Sequence, residues 1–253
     1  MLEQQETSAF AGRIAKFLER VEYRRADSPR DKEAIYRLRY EAYSREGYIE
    51  RNESKLFTDA GDQEPNSWMI GVFIDGALAS SIRLNVASRP KHWLSAMECY
   101  GDILGPRIAS GEVFVDATRQ SSRLEFTRAY PFLPLITMRC GFLAMEYFKA
   151  DFLIGSCRSE YELAFRRMFG SRTWSTPRPY PLLNRLHVLM AFECKTQWRG
   201  ICERYPFLAS TAIERRALFG RSSNAGPEVY GELNAGGRVS ESGNKDNSAI
   251  CAA

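Results

Sequence analysis

The chain has 253 residues, 44% of them hydrophobic and 26% charged; these ordinary values exclude collagen-like, wholly disordered and disulfide-knot classes and suit one large domain with additions. A formal charge of +4, interspersed along the chain, is too small to announce nucleic-acid binding, so no nucleic-acid partner is expected. The densest apolar segment, 132–148, is broken by Arg139 and Glu146; no membrane span fits it, and stable membrane insertion is not expected.

The opening MLEQQETSAF has no basic region followed by an apolar one, which predicts residence in the cytoplasm. Of the 35 basic side chains, 28 are Arg, whose planar fork suits carboxylates and phosphates, although a coding bias with solvated arginines accounts for most of the excess. Six cysteines show no CxxC spacing and only two histidines exist, His92 and His187. No metal site is expected from that set, and neither histidine sits in a recognisable Ser-His-Asp context.

In chain order, Phe10, Ile14, Phe17 and Leu18 recur at helical spacing, a short strand is expected at Val21–Arg25, and Ser28-Pro29 opens a second helix carrying Ile35, Leu38, Ala42 and Tyr43. Segments 67–74 and 79–86 are rich in strand formers and joined through Asp75-Gly76, a hairpin signal that predicts antiparallel pairing. The alternation in Leu124-Glu125-Phe126-Thr127-Arg128 predicts another strand, followed by a buried helix at 135–150. A strand (152–157), a helix (160–169) and a last strand (186–192) complete the pattern, which implies an α/β sandwich around one mixed sheet. Residues 221–253, with five Gly, five Ser, four Asn and one Pro and no apolar periodicity, are expected to be a disordered tail after a folded unit of 1–220.

Four polar islands interrupt otherwise apolar surroundings: Arg39 on the second helix; Asp59 and Asp62, three apart in FTDAGD; Arg83 inside the strand SSIRL; and Glu125 with Arg128, three apart on LEFTR. An arginine in the interior of an Ile/Leu strand needs an anion, because burying it unpaired costs several kcal/mol. Ordinary ion pairs fixing loop to sheet explain this set as well as a reactive site does.

The order Arg39, Asp59-x-x-Asp62, Arg83, Glu125-x-x-Arg128 resembles the polar signature of the acyl-homoserine-lactone synthases. Further strings resemble their sister family, the long-chain N-acyl amino acid synthases. These are LRYEAYSREGYI, DGALASSIRL, GEVFVDATR with Asp116, Thr118 and Arg119, LPLITMRCGFLAMEYF, CRSEYELAFRRMFG and TPRPYPLLNRLHVLM. Together they span about residues 30–195 in family order. The resemblance implies a GNAT-like α/β fold, a three-layer sandwich whose mixed central sheet splays into a V. Acyl-pantetheine of an acyl carrier protein lies in that V against the LEFTR strand, and a free amino acid, tyrosine in the best-known members, attacks the thioester. No bound cofactor is implied; acyl carrier protein is the partner and donor.

One local feature favours a carrier protein over coenzyme A. Enzymes that bind the coenzyme's diphosphate use Gly-rich amides at a helix N-terminus, whereas the link AYPFLPLITMRCG places Pro131 and Pro134 there and no Gly before Gly141. Arg139, Arg166 and Arg167 are then candidate anchors for the carrier's phosphodiester and acidic surface, or plain solvated arginines. For the chemistry, Glu125 is the candidate base for the acceptor's ammonium, or alternatively the structural partner of Arg83. Arg39, Asp59, Asp62 and Arg128 are expected to organise the acceptor side, with Arg83, Asp116 and Arg119 as further pieces of that site. Met138, Phe142, Met145 and Phe148 line the acyl channel or belong simply to the core. The family tyrosine that protonates the leaving thiolate is replaced by Phe165, with Tyr161 one turn earlier. Two other readings fit the same residues: a homoserine-lactone signal synthase using S-adenosylmethionine, and a carrier- or lipid-binding regulator without turnover.

Overall fold

The computed structural model describes residues 2–220 apart from 90, 181 and 184, so the expected tail at 221–253 lies outside the described residues. Helix α1 (Leu2–Phe17) buries Ala11, Ile14 and Phe17 at the predicted spacing and leads into strand β1 (Val21–Arg25). Ser28 caps α2 (Pro29–Arg45): its hydroxyl accepts from the Asp31 amide, and Pro29 sits in the first turn, where its missing N–H costs nothing. Strands β2 (Ser67–Ile74) and β3 (Ala77–Ala87) form the expected hairpin. Asp75 and Gly76 both have positive φ, 50° and 82°, the two-residue turn whose twist matches the flanking strands.

Helix α3 (Met97–Ala109) and strand β4 (Phe114–Ser122) follow. Neither was legible as an element, since Asp116 and Arg119 break the apolar pattern of β4. The LEFTR segment is not a strand but a short helix, α4 (Leu124–Ala129). The reason is topological. The Arg123 amide takes the Ala79 carbonyl at the end of the β3–β4 ladder, and beyond Ala79 the neighbouring chain turns away into the hairpin, leaving no edge to pair with.

Helix α5 (Leu133–Phe148), strand β5 (Phe152–Arg158) and helix α6 (Glu162–Phe169) match the predicted succession within two residues at each end. Two-residue strands β6 (Arg172–Thr173) and β7 (Arg178–Pro179), strand β8 (Leu186–Glu193), and helices α7 (Cys194–Arg204) and α8 (Ala212–Phe219) complete the chain.

The sheet runs in the order β1-β2-β3-β4-β5-β8-β6, with β7 also paired to β8. Only β4 and β5 are parallel; every other pairing is antiparallel. Helices cover both faces. On one, α2 packs Ile35 and Leu38 against Met69 and Leu78, and α3 packs Tyr100, Leu104 and Ile108 against Phe114, Ile154 and Leu189. On the other, α5 sends Phe142 into a ring cluster with Phe169, Phe192 and Trp198, at centroid distances of 5.4–5.6 Å. A fully buried Phe such as this contributes about 1.5–3 kcal/mol relative to exposure. No described helix is long and apolar enough to cross a membrane.

Candidate active site

Arg39 lies on the buried stripe of α2, one residue after Leu38, and Arg83 occupies the interior of β3; both are fully buried. Each finds its anion in the turn at 58–63, where Asp59 and Asp62 cap one another's backbone in a reciprocal box. Arg39 Nη1 donates to both oxygens of Asp62, at 2.7 and 2.8 Å. Arg83 Nη1 donates to Asp59 and, at 3.0 Å, to Asp62, while its Nη2 donates to Ser95 Oγ at 2.6 Å and its Nε to Thr118 Oγ1 at 3.3 Å. Arg119 Nε donates to the remaining oxygen of Asp59 at 2.6 Å. The result is an alternating row, Arg39, Asp62, Arg83, Asp59, Arg119, with one cation in excess at its end.

Burial pushes the Asp59 carboxyl up, but Arg119 and Arg83 outweigh it and hold it down at about 2; Asp62 is likewise lowered, Arg39 and Arg83 prevailing over burial. Asp116 behaves oppositely. It is fully buried, only its Oδ2 has a partner, the Ala96 amide at 3.0 Å, and burial raises it to about 6 against the pull of that amide and of Arg83 and Arg119.

The row ends at a cleft. Strands β4 and β5 stay in register only from Phe114↔Phe152 to Asp116↔Ile154 and then part. At the fork, a Cβ on Gly155 would stand 3.2 Å from the Ala117 carbonyl, so a glycine permits the close approach; on the other strand, Arg119 takes a positive φ of 53°, a bulge that re-aims its side chain. The opening encloses about 490 Å³ between residues 117–122 and 155–158. Tyr43 from α2, Arg119, Tyr180 and His187 border it, as do Met138 of α5 and Phe165 of α6.

Five of the expected site residues, Arg39, Asp59, Asp62, Arg83 and Arg119, thus converge, with Asp116 beside them. Glu125 and Arg128 do not join. Both are exposed on α4; Glu125 is 66% exposed and meets only Arg123 at 3.9 Å. The carboxylates of Arg83 are Asp59 and Asp62, so the Glu125–Arg83 pairing is corrected, and the setting beside an apolar pocket is absent as well. The acidic-x-x-Arg pair beside Arg83 is Asp116-x-x-Arg119 on β4, the same spacing one element earlier: Arg119 shares Asp59 with Arg83, and Asp116 feels its charge without a hydrogen bond to it. Met138 borders the cleft, whereas Phe142 and Met145 are buried in the core and Phe148 packs at an angle against Trp68 and edge-on against Phe219. Arg139 is no docking residue: it is buried and donates to the carbonyls of Phe207 and Ala209, both at 2.7 Å, and to Glu214. Arg166 and Arg167 are exposed on α6, the helix whose Phe165 borders the cleft. Sequence reasoning gave no role to Tyr43, Tyr180 or His187; the last two lie in the string TPRPYPLLNRLHVLM, whose prolines hid the fact that it forms a wall.

A mixed sheet forked between two parallel strands, with helices on both faces and a cationic row leading into the fork, is the architecture of the GNAT-like N-acyltransferases. Within that class, the family model described as N-acyl amino acid synthase FeeM matches residues 34–193, and the chain belongs to this family. Among solved structures it is similar to FeeM, an N-acyl amino acid synthase from uncultured soil microbes, at 17% identity and a TM-score of 0.61 over 74% of this chain and 98% of that one. It is also similar to TofI in complex with an inhibitor and MTA, at 17% identity and a TM-score of 0.54 over 75% and 100%. BjaI, a CoA-dependent acyl-homoserine lactone synthase, gives 14% identity and a TM-score of 0.50 over 74% and 89%. At these identities the likenesses show the fold. No curated protein matches the chain.

Proposed function

We propose that the protein transfers a long-chain fatty acyl group from an acyl carrier protein thioester to the α-amine of a free amino acid of the tyrosine kind. The observation that carries this reading is the two-sided cleft. Its α5–α6 side offers Pro134, Met138 and Phe165 to an acyl chain; among the arginines that line it, Arg45 is paired with Glu46 and Arg158 with Glu160, and Arg119 is fixed through its Nε by Asp59. The Arg119 Nη atoms make no hydrogen bond to a described residue, nor do the hydroxyls of Tyr43 and Tyr180, whose fields Arg119 shares. A planar fork flanked by two phenols is a seat for a carboxylate. The acceptor's carboxylate sits there, and its amine points into the fork.

The donor assignment rests on the first turn of α5. The Leu133 amide is bonded to the Tyr130 carbonyl, those of Leu135 and Ile136 to Phe132, and Pro134 has none. In that turn, then, these amides are engaged and one is lacking altogether. A carrier protein needs only one phosphodiester contact, and Arg166 and Arg167 on α6 suit its acidic surface.

Purified protein is incubated with carrier protein loaded with a long saturated chain and a mixture of amino acids, and the extract is read by mass spectrometry. N-acyl amino acids support the reading. N-acyl lactones formed only with S-adenosylmethionine would reassign it to signal synthesis, and tight carrier binding without product to a regulator.

A further inference from the structure

Amine attack requires that the acceptor's ammonium first lose a proton, and the carboxylates near the cleft do not serve. Glu46, which lines the opening, is solvent-exposed and paired with Arg45 at 3.3 Å; Glu125 is exposed on α4, Asp116 does not line the opening, and Asp59 and Asp62 are saturated with guanidinium contacts. We propose that His187, through Nε2, is the base that takes this proton, an inference that rests on the N-acylation reading above.

His187 lies near the start of β8, opposite Arg158 of β5, where the sheet borders the cleft, and it is 6% exposed. Its Nδ1 lies 3.3 Å from the Arg185 carbonyl oxygen. A carbonyl only accepts, so Nδ1 carries the hydrogen and Nε2 keeps its lone pair. Nε2 has no hydrogen-bond partner among the described residues, and His187 is one of the residues that line the cleft. Tyr180 packs on the ring at a centroid distance of 5.0 Å, and the backbone beneath it is fixed by Tyr100 Oη, which donates to the His187 carbonyl at 2.8 Å.

The charges that bear on the ring most directly are cations, although Glu46 borders the same cleft and Arg158 is itself paired with Glu160 at 3.0 Å. Arg158 faces it from β5 and Arg119 from β4; Arg178, its neighbour on β7, is engaged with Asp102, and Arg185 precedes it. Burial first, then Arg158 and Arg119, hold the imidazole below the ordinary histidine range, although the Arg185 carbonyl pulls the other way. At neutral pH the ring is therefore uncharged and able to accept. The same Arg119 that seats the carboxylate discourages a standing positive charge on His187, so the proton is passed on to solvent.

The step balances as follows. His187 Nε2 takes one proton from the ammonium; the freed lone pair forms the C–N bond at the thioester carbonyl, whose π pair moves to oxygen. Collapse of that intermediate restores C=O and breaks C–S. The second nitrogen proton ends on the departing thiolate, giving amide, free carrier thiol and one proton released.

Two measurements test the proposal. With only two histidines in the chain, ¹⁵N-histidine spectra of the wild type and of His92→Gln assign His187 without ambiguity. The expected spectrum at about pH 7.5 is a neutral ring protonated on Nδ1; a ring protonated on Nε2, or charged, overturns the proposal whatever the substrate. Kinetically, with palmitoyl carrier protein and tyrosine, His187→Gln is expected to lower kcat by roughly 10²-fold or more. Its melting temperature and KM for tyrosine should stay near wild type, and its rate should climb with pH as the amine titrates unaided. Added imidazole should restore part of the rate to His187→Gly. A variant that keeps the wild-type rate and pH profile overturns the base assignment alone; a wild type that forms no N-acyl amino acid overturns the reading of function beneath it.

Discussion

Asp116→Asn is predicted to change how stability depends on pH. The Asp116 carboxyl is raised from 3.8 to about 6 by burial. An acid whose folded value is raised stabilises the protein fully below its unfolded value and loses that contribution as pH rises through the folded one. The gap corresponds to about 3 kcal/mol in all, of which about 2 kcal/mol falls between roughly pH 4.5 and 7.5. An asparagine retains an oxygen for the Ala96 amide and carries no charge. Whatever fixed cost its amide brings, the difference between variant and wild type should move by about 2 kcal/mol in the variant's favour across that interval, some 4–8 °C in Tm for a domain of roughly this size. Urea unfolding followed by circular dichroism at both pH values gives the number directly, and groups common to both proteins cancel. A difference that stays constant with pH, or runs the other way, would refute the argument that Asp116 is held as an uncompensated buried acid.

Asp62→Asn should cost roughly 3–5 kcal/mol at neutral pH, because it strands Arg39 and leaves Arg83 leaning on Asp59 alone; chemical denaturation measures it, and a loss below about 1 kcal/mol would mean the row is solvated. Asp59, held down at about 2, contributes stability above its unfolded value near 3.8 that is lost as the pH falls toward 2; an acid titration of Asp59→Asn should lack that limb. Arg119→Lys should raise KM for the amino acid by about tenfold or more with less effect on kcat, since a point charge cannot reproduce the fork; equal losses in both would remove Arg119 from the carboxylate seat. Reversing Arg166 and Arg167 to Glu should lower kcat/KM for the acylated carrier by about tenfold at low salt and less at high salt, and an unchanged value would move docking elsewhere.

The hairpin, α2 and the α5–β5–α6 succession were legible because local signals and tertiary demands agree there: Asp75-Gly76 can hardly be anything but a tight turn, and the Ser28-Pro29 start is sterically specific. LEFTR was misread because alternation over five residues says nothing about whether a partner edge exists. β4 was missed for the opposite reason, since its two charged residues face a buried row that a linear pattern cannot display. Arg39, Asp59, Asp62 and Arg83 could be found as misplaced charges, but the string that supplies the last arginine of the row could not: two acidic-x-x-Arg strings occur within thirteen residues, and only the register Arg83↔Thr118 decides between them. His187 lies in one of the strings that carry the family resemblance, but nothing in that string marked it for chemistry. Its character comes from a backbone carbonyl two residues away and from arginines on two other strands.

The alternating row of three arginines and two aspartates also constrains how this chain can change over generations. Each interior member touches two others, so replacing one strands a buried charge, and the loss is not recovered by a conservative exchange at that position alone. Neutral drift at Arg39, Asp59, Asp62, Arg83 and Arg119 is therefore expected to be rare one position at a time and to occur as joint replacements. The row spans 80 residues of sequence and joins the turn at 58–63 to α2, β3 and β4 as one unit, whereas apolar contacts can be repacked singly.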